Sequence, residues 1–130
     1  MVLITHIAPR PDWTAAQASG EYRAASLASE GFIHCSTAAQ VTRVANAFYT
    51  WQGNLVLLCI DSDRVQSPVK FEPPVHPQSG QPQTHPEDLF PHVYGPINLD
   101  AVVEVVDFPP NADGTFTLPG AVERLANSLE

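Results

Sequence analysis

Six apolar residues stand in a row in NLVLLCID, residues 54–61. A run that short, without alternation, is the pattern of a central strand covered on both faces. VLITHIA, residues 2–8, is similar, with His6 as its one polar interruption, and reads as a first strand. Between them the period changes. Val41, Val44, Ala45 and Phe48 recur at helical spacing inside TAAQVTRVANAFYTW, which predicts a helix over residues 37–51. Thr37 and Gln40 form a capping box at its start. An earlier helix is expected over residues 11–19: Pro11 suits a first turn, Asp12 complements the dipole, and Gly20 stops it.

The rest of the pattern is mostly extended. Residues 21–30 read as a loop with a short helical turn, and GFIHCS, residues 31–36, as a short strand. VKFE, residues 69–72, is a strand halted by Pro73 and Pro74. Residues 73–88 form a proline-rich connection of the length that functional loops and disordered segments share. PHVYGPI and NLDAVVEVVDF follow as extended segments, the second a buried strand by its four valines. NADG is a turn, and TFTLP, residues 115–119, is expected to pair back as a last strand. Residues 120–130 read as a loosely docked helix or tail on a core of about residues 3–119. Strands and helices alternate only early. The expected class is therefore α+β: a split, mostly antiparallel sheet core with two or three packed helices, in one domain spanning residues 1–130.

Charge narrows the partners. Six Lys and Arg against fourteen Asp and Glu give a formal net charge of −8, which argues against a nucleic-acid surface and against anionic membranes. A single phosphate-bearing small molecule stays compatible if Arg10, Arg23, Arg43 and Lys70 converge on it. No apolar run approaches the ~20 residues of a membrane helix, and the N-terminus lacks the charge and apolar pattern of a signal peptide. Cys35 and Cys59 lie in apolar stretches without a CxxC, as buried thiols of a cytoplasmic protein would.

The candidate chemistry lies in the histidines. By strand parity His6 shares a face with Ile4 and Ala8, His34 with Phe32 and Ser36, and His92 with Tyr94. If those strands are neighbours, one patch holds His6, His34, Ser36, His92 and Tyr94, with Glu72 of VKFE as its carboxylate. Imidazole serves there as acid, base or neutral donor. The competing reading makes each histidine a strand-fastening group that satisfies its own hydrogen bonds in the core. His76 and His85 fall in the proline-rich loop. With His92 they lack the spacing of a metal site, and none is expected. Ser36 enters the second helix, whose N-terminal amides suit an anion.

GFIHCST (31–37), NLVLLCID (54–61), KFE (70–72) and LFPHVYGPI (89–97), with the opening THI and DW at 12–13, resemble the bacterial family called domain of unknown function 952. The resemblance covers roughly residues 3–119. That family is thought similar in fold to the ADP-ribosyltransferase superfamily. The resemblance thus implies an ADP-ribosyltransferase-like sheet core and NAD or a nucleotide-like molecule as substrate. It implies catalytic roles for His6 (holding ribose), His34 (contacting phosphate or ribose) and Glu72 or, as an alternative, His92 (orienting ribose hydroxyls), and ligand contacts for Ser36 (phosphate or ribose) and Tyr94 (stacking on nicotinamide). The Ser-Thr-Ser run and late glutamate of those transferases have no counterpart in HCST or EVVDF. The alternative is a non-catalytic domain that binds a small ligand or a partner and keeps structural histidines.

Overall fold

The computed structural model describes residues 2–73 and 89–129. Strand β1 (Leu3–Pro9) lies antiparallel to β5 (Leu55–Asp61), with His6 opposite Leu58. The unbroken apolar runs have the expected cause. Val56, Leu58 and Ile60 of β5 and Ile4 and Ala8 of β1 enter one core; Leu55, Leu57 and Cys59 with Leu3 and Ile7 enter the other. Two cores back to back require strands that are apolar at every position.

The first core is closed by parts of helices α1 (Arg10–Ser19) and α2 (Ala25–Glu30) and by a second sheet. The second is closed by α3 (Val41–Phe48) and α4 (Gly120–Leu129), with Phe108 and Phe116 between them. All strand pairings among the described residues are antiparallel. The larger sheet runs β4 (Ser36–Thr37), β1, β5, β9 (Val102–Asp107). The second runs β3 (Ile33–His34), β7 (Phe90–Val93), β6 (Val69–Glu72). A two-stranded ribbon joins β2 (Glu21–Tyr22) to β8 (Ile97–Asn98). GFIHCST therefore crosses from one sheet to the other: Ile33 and His34 pair with β7, Ser36 and Thr37 with β1, and Cys35 is the step between.

The α+β class and the antiparallel split sheet agree with the expectation, but several elements differ. There are four α-helices among the described residues rather than two or three. Residues 21–30 contain β2 and α2; with Leu27 the sole large apolar side chain of α2, no periodicity marked it. The helix expected from residue 37 starts at Val41, because Thr37 is used in pairing with Ile4. Half of the capping box survives, Thr37 N–H donating to Gln40 Oε1 at 2.9 Å. Phe48, expected on the buried face, is 54% exposed, and Tyr49 packs on the core beyond it. Strand β9 is an edge strand with Val103 exposed rather than a buried one. TFTLP forms no strand. Asn46 of α3 takes the place of a strand neighbour: its Oδ1 accepts from Phe116 N–H at 2.7 Å and its Nδ2 donates to Phe116 O at 3.2 Å. Phe116 is thereby seated against Phe108, ring centres 4.7 Å apart.

Candidate functional site

Alternation sorts the second sheet into two faces. Ile33, Cys35, Val69 and Val93 turn into the first core or pack on it. The even-numbered residues turn to the opposite face, where Phe32 and His92 are covered by their neighbours. The register sets His34 opposite His92 and His92 opposite Lys70, so these three lie in one row across β3, β7 and β6.

Around that row the side chains interlock. His92 is buried, 2% exposed, and stacks on Phe32 with ring centres 4.2 Å apart. His34 meets His92 edge-on at 5.6 Å and Phe32 at 4.8 Å. His92 Nδ1 donates to Glu72 Oε1 at 2.8 Å, and the Tyr94 hydroxyl donates to the same oxygen at 2.5 Å. Lys70 Nζ stands 4.9 Å from the centre of the Tyr94 ring, within cation–π range. On the other flank, His34 Nε2 lies 3.1 Å from both carboxylate oxygens of Glu30.

The electrostatics follow from these bonds. The Tyr94 hydroxyl, then His92, stabilise the Glu72 carboxylate and hold it below its usual range, with Lys70 adding a weaker pull. The same bond raises the Tyr94 hydroxyl, which stays protonated as a donor. Glu72 keeps a third of its side chain exposed, so an ionised carboxylate with its orientation fixed faces outward beside two imidazoles.

The backbone that carries Tyr94 is clamped. Tyr94 N–H donates to Pro68 O at 2.8 Å, and Ser67 Oγ donates to Pro96 O at 2.7 Å. Gly95 between them has φ +153°, and a Cβ there would run into the Ser67 hydroxyl. The glycine of FPHVYGP is thus a close-approach residue.

The histidines divide. His34 and His92 meet, together with Glu72 and Tyr94. His6 does not join them: its ring is spent on the fold. The His34 carbonyl can only accept, so Nδ1–H of His6 donates to it, at 2.6 Å. Nε2 is then the acceptor for the Tyr22 hydroxyl, at 2.8 Å. Burial dominates the shift that lowers His6 to a pKa of about 4 and keeps it neutral. Ser36 belongs to the other sheet, where it pairs with Thr5 and its carbonyl accepts from Thr5 Oγ1 at 2.9 Å. Burial pushes the thiols of Cys35 and Cys59 up to about 12, so both are unreactive. Among the described residues no group of three His, Cys, Asp or Glu side chains is arranged to hold a metal ion; His76 and His85 lie outside those residues. No helix among them is long and apolar enough to cross a membrane.

Phe32 and Glu30 complete the cluster and were not singled out from the sequence. Parity puts Phe32 on the face of His34, which was the available signal. Glu30 had none, because the chain between it and His34 leaves a helix, turns at Gly31 and enters a strand.

The match to known proteins spans this region. A family model described as protein of unknown function (DUF952) fits residues 7–105. The chain belongs to that family. It is similar to the crystal structure of protein CC0527 from Caulobacter crescentus, with 30% identity and a TM-score of 0.77 over 93% of this chain and 98% of that one. It is similar too to the solution NMR structure of CC0527, with 32% identity and a TM-score of 0.71 over the whole of both chains. The curated proteins give no match. The family thus supplies a fold, and the chemistry must come from the side chains.

Proposed function

We propose that the chain is a cytoplasmic enzyme acting on NAD or a nucleotide-like small molecule by ADP-ribosyl-transfer-like chemistry, at the His34–His92–Glu72–Tyr94 cluster. The observation that carries this reading is the state of Glu72: ionised, one-third exposed, and fixed by two donors on one oxygen. Breaking a glycosidic C–N bond leaves positive charge on the sugar. A preoriented carboxylate is the group that stabilises such charge and orders the neighbouring hydroxyls. In this role His92 and Tyr94 hold Glu72, and Lys70 faces the anionic part of the ligand. His6, with both ring nitrogens engaged, holds the His34 strand in place instead of a ribose.

The test is binding and turnover. Millimolar NAD or ADP-ribose raises the melting temperature of the wild type, Glu72→Gln weakens the rise, and nicotinamide is released. No shift with either ligand removes the NAD reading.

A second reading is favoured by the burial of His92: a domain that binds the ligand on this face without converting it, with His92 as a strand fastener. It predicts a thermal shift with NAD recovered intact by mass spectrometry after long incubation. Any processed product rejects it.

A further inference from the structure

The two carboxylate–imidazole pairs are built in opposite senses. In the Glu72–His92 pair the imidazole is buried and the carboxylate faces out, with side-chain exposures of 33% and 2% for Glu72 and His92. In the Glu30–His34 pair the imidazole is the more open member, at 41% against 30%. The face therefore presents one carboxylate and one imidazole, each backed by a partner of the other kind, with the two rings 5.6 Å apart.

We infer that His34 is the proton acceptor of this site and that Glu30 is its positioning residue. A carboxylate only accepts hydrogen bonds, so Glu30 fixes neutral His34 as the tautomer with hydrogen on Nε2. The lone pair is then on Nδ1. The placement of Glu30 has no helical rationale: it is the last residue of α2, where a carboxylate opposes the helix dipole. It reaches His34 because the chain reverses at Gly31, φ +90°, so residues four apart meet outside a helix.

This inference rests on the reading of Glu72 above and adds the second half of the step. The acceptor, water or another hydroxyl, forms its O–C1′ bond as the C1′–N bond breaks. The bonding pair leaves with the pyridinium, which departs as neutral nicotinamide. The proton of the acceptor passes to His34 Nδ1. Glu72 stabilises the sugar cation in between, and no co-reactant is needed.

Two measurements on the full chain separate this inference from the reading it rests on. The first uses diethyl pyrocarbonate at pH 8, above the ordinary imidazole range, with the modified peptides mapped by mass spectrometry. Of His6, His34 and His92, His34 reacts fastest. Glu30→Gln slows it severalfold, leaving the other two rates and the melting temperature unchanged. An unchanged His34 rate in Glu30→Gln overturns the positioning role. The second follows NAD cleavage. His34→Gln lowers kcat by ~10²-fold or more with little change in KM. Glu30→Gln lowers it less, and Glu30→Asp restores part of the loss. Wild-type kcat in His34→Gln overturns the proton-acceptor role. If NAD is neither bound nor cleaved, the Glu72 reading and the proton-acceptor role fall together, while the first measurement alone decides whether Glu30 positions His34.

Discussion

The imidazole of His6 donates to the backbone carbonyl of His34 at 2.6 Å, so one histidine of the chain sets the position of another. Through its other nitrogen the same imidazole accepts from Tyr22, and that acceptance, like the burial of the ring, requires the neutral form.

That requirement makes stability depend on pH. The unfolded ring takes up its proton near pH 6.5 and the folded ring only near pH 4. Between those values the unfolded chain binds more protons, so stability rises with pH. Acidification from pH 7 to 4 therefore removes on the order of 3 kcal/mol through this group. His6→Gln is less stable at pH 7 and shows a flatter stability profile over that window, as measured by urea unfolding at several pH values. An unchanged profile would place the titration elsewhere.

Tyr94→Phe deletes the first of the two donors to Glu72. The Glu72 midpoint, followed by carboxyl ¹³C NMR, moves up toward the ordinary glutamate range. The stabilising effect of this carboxylate is present above its unfolded value and disappears as pH falls through the lower folded one. The variant therefore falls furthest below wild type in stability at neutral pH, and the difference shrinks as the pH drops below about 4.5.

Gly95→Ala forces a side chain into the Ser67 hydroxyl at a backbone angle that suits glycine. The expected loss is ~1–3 kcal/mol. In a Ser67→Ala background, which already lacks the bond to Pro96 O, Gly95→Ala costs less, because the collision is relieved while the backbone strain stays. An equal cost of Gly95→Ala in both backgrounds would mean that the strain alone matters.

Asn46→Ala removes both hydrogen bonds that hold the backbone of Phe116. A loss of ~1–3 kcal/mol in chemical denaturation follows. Asn46→Asp, which keeps the acceptor for Phe116 N–H and drops the donor, falls between the two.

Native protein at pH 8 leaves Cys35 and Cys59 unmodified by a disulfide-exchange reagent, and both titrate once the chain is unfolded. Rapid labelling of the native state would contradict their burial.

The sequence disclosed the parts of the fold in which one physical demand acts alone. NLVLLCID is apolar at each position from Leu55 to Ile60 because both its faces are buried, and it could be read as a central strand on that ground. The valines of β9 misled because the same composition serves an edge strand. TFTLP misled because extended backbone was satisfied by Asn46, a side chain 70 residues away in sequence. In the candidate site, parity correctly set His34 with Phe32 and His92 with Tyr94, and Glu72 with Lys70. It also put His6 on the inward face with Ile4 and Ala8, without showing that this face is sealed by Tyr22. Parity works within a strand, whereas the grouping of strands depends on where GFIHCST changes sheets.

The alternation in β3, β6 and β7 has a consequence for divergence. Positions 32, 34, 70, 72, 92 and 94 carry the cluster; positions 33, 35, 69 and 93 carry the packing. The demands of the proposed site and those of packing thus fall on different residues along these strands and their flanks. A relative that retains the inward set and exchanges the outward one keeps this architecture and acquires different chemistry, so membership of the family alone does not fix a substrate.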